Sequence, residues 1–394
     1  MKKKIIIPCA LGAILLILII SRIIGTDGGK ILVEVPQQEE TCAPDSIVLK
    51  VYMENSGSMN GYMCTGSTLK DAVFDYISDL SKKVKKTELN YINTKIISIQ
   101  RPLDEYIKNL TPQSFSAAGG NLNNTDLPEM FKQMLSAHDE NTVSIFISDC
   151  ILDIPQNATH FFGACRVSIK NSFNEALERN PQMGVQILKM NSKFRGRWSC
   201  GPNHANLDTI RPYYIWAIGD NRILAKFNKD IPVEDIYKGI EERSSYVTEF
   251  HVNYSIPEKR FVTNHAGIIK VQVLANFNET LQSEQLIENI AQYSVSNPSQ
   301  VEILSIQPIT KKNSKFSHVM NLQLTNPETI RSVDIVFNYP YLSSWVESSN
   351  DDTGRNVMQH IDKTTGIKYL ITGVAEAYKN STACCHITFN LKNK

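Results

Sequence analysis

Residues 47–59 read IVLKVYMENSGSM, and the fold turns on how that stretch is parsed. Ile47 to Tyr52 is an apolar, largely β-branched run that stops at Glu54-Asn55-Ser56-Gly57-Ser58. A run of that length closed by a Gly-containing polar cluster predicts a buried strand entering a tight loop. In open α/β sheets, ligands bind just past the carboxyl ends of strands. That position here carries the Glu54 carboxylate and the Ser56 and Ser58 hydroxyls at alternate residues. Crowded hard oxygen donors suit a small hard cation such as Mg2+. An ordinary strand followed by a Ser/Gly turn would look the same, so the flanking chain has to decide between the two.

Outward from this stretch the predicted elements alternate. Ser67 to Lys83 sets Leu69, Val73, Tyr76, Ile77 and Leu80 at helical spacing. The lysine-rich run Lys82 to Lys86 suits a solvated helix C-terminus. Asn90 to Ile99 predicts a strand. Leu127 to Ala137 predicts a helix with Pro128 in its first turn. Thr142 to Ser148, TVSIFIS, predicts a central parallel strand ended by Asp149. Ser168 to Arg179 reads as a helix, Gly184 to Met190 and Tyr213 to Ile218 as strands, and Val233 to Arg243 as a helix. That alternation predicts an α/β domain over residues 46–246, a doubly wound, mainly parallel sheet of Rossmann-like kind. Residues 247–394 instead carry short alternating runs between Asn, Pro and Ser, which predict a β-rich, mostly antiparallel C-terminal domain. Helices are expected within it at Gly366 to Tyr378 and Ser283 to Tyr293.

Three loops at predicted strand ends carry oxygen donors. The first holds Glu54, Ser56 and Ser58; the second holds Thr125 and Asp126, with Asn121 behind Gly119-Gly120; the third holds Asp149. Singly, Asp149 reads as a turn residue and Thr125-Asp126 as a helix N-cap. Taken together, their order resembles the von Willebrand factor A (vWA) family. Its metal ion-dependent adhesion site (MIDAS) opens with Asp-x-Ser-x-Ser, usually followed by Met, and adds a Thr and an Asp from two later loops. This chain has Glu54 in the place of the first Asp, and the resemblance covers roughly half of it. The resemblance implies that Ser56, Ser58 and Thr125 are direct ligands of a divalent cation. Glu54 and Asp149 would act through water or from behind those ligands, and Asn121 and Asp126 would be outer supports. Mg2+ is the implied ion, and the longer Glu54 also accommodates Ca2+ or Mn2+. A coordination position left open for the acidic side chain of a protein partner implies adhesion or envelope assembly. One rival is a metal-dependent phosphoester hydrolase built on the same oxygens, although no His or Lys is placed by the sequence as its base. The other is a scaffold with a degenerate, metal-free site.

The chain opens MKKKIIIPCALGAILLILIISRIIG. Three lysines ahead of an apolar run predict a membrane anchor at 1–25, a linker at 26–45 with a short strand at Ile31 to Val35, and extracytoplasmic domains beyond. A cleaved signal peptide would need a small-x-small site, and Ser21-Arg22-Ile23-Ile24-Gly25 offers a poor one. With 394 residues, 42% of them hydrophobic, and a net charge of +1, the chain has the bulk for two or three domains and lacks the basic excess of a nucleic-acid binder. Seven cysteines follow the anchor without a CxxC pair, which argues against a zinc site; pairing of Cys150 with Cys165 stays open. The histidines form no HExxH pattern, and Trp198, Trp216 and Trp345 read as packing. Ser349-Asn350-Asp351-Asp352 reads as a solvated turn, with calcium binding as its alternative.

Overall fold

The structure, a computed structural model, describes residues 29–36, 46–108, 110–121, 126–155, 160–311, 314–378 and 383–393. The anchor expected at 1–25 and Thr125 lie outside the described residues. Among the described residues no helix is long and apolar enough to cross a membrane.

In chain order the first half forms β1 (Lys30–Glu34), β2 (Val48–Glu54), α1 (Leu69–Ser81), β3 (Lys86–Ile92), β4 (Ile96–Ile99), α2 (Leu103–Lys108) and α3 (Pro112–Ser116). It continues through α4 (Leu127–Ser136), β5 (Thr142–Ser148), α5 (Phe161–Arg179), β6 (Met183–Cys200), β7 (Asn203–Asp220), α6 (Asn221–Asp230) and β8 (Glu242–Tyr246). Seven strands make one sheet in the order β4-β3-β2-β5-β7-β6-β8. β2 runs parallel to β3 and to β5. Every other pairing, β3–β4, β5–β7, β6–β7 and β6–β8, is antiparallel. The sheet is therefore mixed, and the expected doubly wound, mainly parallel architecture is corrected.

The cause is the hairpin. Cys200 pairs with Asn203 across Gly201-Pro202, so β6 and β7 are joined by a two-residue turn and have to be antiparallel. Gly201 takes φ +56°, and a Cβ there would meet the Ile154 carbonyl. β7, not β6, then lies beside β5. The expected strands Gly184–Met190 and Tyr213–Ile218 are only the buried halves of these 18-residue arms. Two further expectations are corrected. The run Asn90–Ile99 folds back at Asn93-Thr94-Lys95 into the β3–β4 hairpin. In place of a helix at Val233–Arg243 there is a 3-10 turn, Val233–Asp235, followed by β8. Lys238 and Gly239, at φ +66° and +74°, interrupt any helix there. The helix forms earlier, as α6, with Asp220 capping it through the Arg222 N–H at 2.9 Å.

The second half forms β9 (Phe250–His251), β10 (Tyr254–Ser255), β11 (Arg260–Val262), β12 (Ile268–Ala275), α7 (Glu284–Glu288), β13 (Tyr293–Val295), β14 (Val301–Pro308) and β15 (His318–Thr325). It ends with β16 (Ser332–Asn338), α8 (Ser344–Ser348), β17 (Asn350–Asp351), β18 (Thr364–Thr365), α9 (Ile367–Ala377) and β19 (Ala383–Asn393). One sheet has the order β10-β12-β15-β14 and is antiparallel throughout. A larger one has the order β11-β1-β19-β16-β13, with β9 added in parallel to β19, and β17 and β18 form a separate two-stranded parallel pair. Strict alternation builds their core: His318, Met320, Leu322 and Leu324 of β15 are buried, and the residues between them are half-exposed. The C-terminal half is thus β-rich and mostly antiparallel.

Two excursions tie the halves together. β1, in the segment read as a linker, pairs with β11 and β19, so the seven-stranded sheet is inserted between β1 and the rest of the C-terminal sheet. In return, residues 344–378 pack on the α/β unit. The Leu152 N–H donates to the Thr365 carbonyl at 3.0 Å. The Tyr378 hydroxyl donates to the Met183 carbonyl at 2.9 Å. Glu376 of α9 pairs with Arg166 of α5. Gly373 permits that close approach of the helices, because a Cβ there would lie 2.6 Å from the Arg166 carbonyl.

Candidate cation site at the ends of β2 and β5

β2 and β5 are neighbours in register, Met53 opposite Ile147, so their C-terminal ends emerge side by side. Glu54 closes β2 and is wholly buried. Its carboxylate reaches across to β5 and accepts from the Ser148 hydroxyl. Ser148 in turn accepts from the Cys150 N–H at 2.7 Å.

Beyond Glu54 the chain turns into a 3-10 helix, Met59–Met63, with Ser58 at its N-cap. Ser58 does not cap that helix with its side chain. Its hydroxyl lies 3.1 Å from that of Ser56 and bonds the carboxylate of Asp149. With Ser58 donating to Asp149, Ser56 donates to Ser58. Asp149 Oδ1 also accepts from the Ile151 N–H at 3.3 Å, while Oδ2, buried, has no hydrogen-bond partner among the described residues. Burial pushes the Asp149 carboxyl up from its ordinary value; Ser58, Ile151 and Arg211 pull it down without prevailing. Cys150, next along, adopts φ +54°. A non-Gly residue in that region is a strained conformation that the surroundings have to impose.

Sequence reasoning missed Arg211. It lies on β7, is 2% exposed, and its charge acts on both Asp149 and Tyr62. Its Nη1 and Nη2 donate to the carbonyls of Ile361 and Lys363, each at 3.1 Å. A lone Arg in a polar stretch carries no local signal of burial. Only the adjoining Pro212-Tyr213-Tyr214 run hints that the strand is turning inward.

The second loop meets the first through amides. Asn55 Nδ2 donates to the Gly119 carbonyl at 3.2 Å, and Asn93 Nδ2 donates to Asn55 Oδ1 at 2.8 Å and to Gly119 at 3.0 Å. Asn121 is exposed, its N–H donating to Thr94 at 3.3 Å. Asp126 caps α4 through the Glu129 N–H at 3.1 Å. The structure thus brings together Ser56, Ser58 and Asp149 and sets Glu54 against Ser148 at the adjoining strand end, whereas Asn121 and Asp126 are engaged locally. Cys150 and Cys165 are both free thiols, so that pairing is absent. Asp351 accepts from Thr353 and Gly354 within its own turn.

The loop after Ser58 is clamped from the far side. Phe194 of β6 packs edge-on against Tyr62, and a Cβ on Gly61 would fall 2.3 Å from the Phe194 ring. Gly61→Ala should therefore destabilise the protein by about 1–3 kcal/mol, the usual cost of overpacking. Phe194→Leu in the same chain should recover part of that loss in urea unfolding. No recovery would mean the clash lies elsewhere.

The region offers two buried carboxylates and two hydroxyls; the neighbouring Cys150 thiol is buried, accepts from the Trp216 indole N–H at 3.3 Å and is pushed well up by burial. Among the described residues, no three His, Cys, Asp or Glu side chains gather as a metal site, so a cation here would draw on the serines. Hard oxygens around a buried carboxylate oxygen with no partner fit Mg2+ or Mn2+. Glu54, Ser56, Ser58 and Asp149 are the residues that would hold it. Compared with known proteins, the chain matches no family model and no curated protein.

Proposed function

We propose that this chain binds a divalent cation at Glu54, Ser56, Ser58 and Asp149 and uses it to engage an acidic side chain of a partner protein. The observation that carries the reading is the buried Asp149 Oδ2 without a partner, in a carboxylate bonded by Ser58, whose hydroxyl lies 3.1 Å from that of Ser56. Burial opposes ionisation of the Asp149 carboxyl, and an ionised buried carboxylate is costly without compensation. A bound cation would supply that compensation. The resemblance to the vWA metal site supports this through the Glu54-x-Ser-x-Ser loop and Asp149, and it no longer draws on a parallel sheet. The apolar run at residues 5–24 would tether the molecule to a membrane, with the β-rich and α/β units on the extracytoplasmic side.

Calorimetric titration with Mn2+ tests the reading. Binding should be saturable in the wild type and weakened on the order of tenfold in Ser56→Ala. The same preparation should not turn over p-nitrophenyl phosphate. Turnover lost in Ser56→Ala would instead make the cluster hydrolytic. One observation favours the metal-free scaffold: Arg211 already provides Asp149 with a counter-charge. An absence of Mn2+ binding would select that reading.

A further inference from the structure

The strand registers place both connections of the α/β unit at one end of its sheet. Val48, where β2 begins, is opposite Thr142, and Ser144 is opposite Ile218. Ile218 is opposite Val185, which is also opposite Tyr246, the last residue of β8. The chain therefore enters and leaves where β2 and β5 start, while Glu54 and Asp149 lie at the far end, where those strands finish. Past β8 the chain joins the C-terminal sheet near the start of β19, where Phe250 pairs with Cys385. The other end of β19 pairs Asn393 with Ile31 of β1. From Cys385 to Asn393 is about 27 Å of strand, at ~3.4 Å per residue.

Residues 25–29 are all that connects the apolar run ending at Ile24 to Lys30, the first residue of β1. Fully extended chain covers at most about 3.6 Å per residue, so Lys30 lies within about 22 Å of Ile24. That end of the sheet has the chemistry of a bilayer contact. Lys30 and Val262 are cross-strand partners and both face solvent, Val262 with 61% of its surface open. Arg260 opposite Leu32, Arg331 bonded through its carbonyl to the Leu391 N–H, and Lys392 are exposed around them, offset by Glu34 and Glu328. An apolar side chain set among cations suits the headgroup layer of an anionic bilayer.

We propose that the end of the C-terminal sheet around Lys30 and Val262 rests on the bilayer surface. The β-rich half then stands between the membrane and the α/β unit, and the Glu54–Asp149 end is displayed away from the membrane. This rests on the tether reading above and not on the cation.

Quenching of tryptophan fluorescence by brominated lipid tests the orientation. The whole chain is reconstituted in vesicles of equimolar phosphatidylcholine and phosphatidylglycerol, with and without bromine on the acyl chains. Its three tryptophans, Trp198, Trp216 and Trp345, are at most 5% exposed and lie off the C-terminal sheets, so they give a constant background. Val262→Trp should lose about half or more of its added emission to brominated lipid. Ile210→Trp, on the outer arm of β7 at a position 53% exposed, should lose none. Both sites face solvent, where substitutions are tolerated. Quenching at position 210, or at neither position in a chain that floats with the vesicles, overturns the orientation and leaves the tether standing. A chain that does not float removes the tether and the orientation with it. If a variant does not fold, acylation of wild-type Lys30 by a water-soluble reagent decides. Protection in vesicles that disappears in mild detergent supports the orientation, and equal rates overturn it.

Discussion

Asp149→Asn should leave the protein in chelator at least as stable as the wild type at neutral pH, and should abolish all stabilisation by Mn2+. The amide keeps the acceptor used by Ile151 and Ser58 and removes a carboxylate whose ionisation burial opposes. With Mn2+ a hundredfold above its dissociation constant, the wild type should gain about 2.7 kcal/mol from mass action alone. The variant should gain nothing. Because a proton and a cation compete for the same oxygens, wild-type Mn2+ affinity should also fall as pH drops through the raised Asp149 value. Equal thermal shifts in both proteins would remove Asp149 from the site.

Acid should destabilise the fold through His138. This imidazole is buried between α4 and β5, its Nδ1 3.2 Å from the Ser144 hydroxyl, and burial pushes it down to about 4. In the unfolded chain it titrates near its ordinary value, so the folded state binds its proton later. Its contribution is whole above pH ~6.5 and is lost as pH falls toward 4, with about 2 kcal/mol gone by pH 5. Asp149 has the opposite sign, since a raised carboxyl favours the folded state as pH falls. The measurement is therefore a comparison: urea midpoints at pH 7 and pH 5 for the wild type and His138→Gln. The variant should lose less stability on acidification than the wild type, and equal losses would exclude His138 as the cause.

The parts of the fold that sequence made legible are those where one short stretch settles its own conformation. β5 was expected at Thr142–Ser148 and forms there, because seven consecutive buried residues with a polar stop leave no alternative register. α4 was equally legible from Pro128 and the capping Asp126. What an apolar run does not encode is the direction of its neighbour, so β7 beside β5 could not be read as antiparallel. The outer arms of β6 and β7 were hidden because half their residues face solvent as Lys, Arg and Asn. The alternation of Ser192, Phe194, Trp198 and Cys200 on the buried side, followed by Gly201-Pro202, was the usable signal. α6 offered Ile223, Leu224 and Phe227 at helical spacing. In the candidate site, Ser56, Ser58 and Asp149 were legible as strand-end donors. Arg211 was not, since its role depends on carbonyls 150 and 152 residues away.

The pairing of β1 with β19 sets a timetable for biosynthesis. Ile31 lies opposite Phe261 on one side and Asn393 on the other, so β1 waits through the α/β unit for its first partner and until β19 is made for its second. The inserted α/β unit has all its strands by Tyr246 and is free to form first. A nascent chain halted before Ala383 would leave both β1 and β16 with unsatisfied ladders, ready to recruit strands from other molecules. Synthesis of β19 is thus also the step that seals the open edges of β1 and β16.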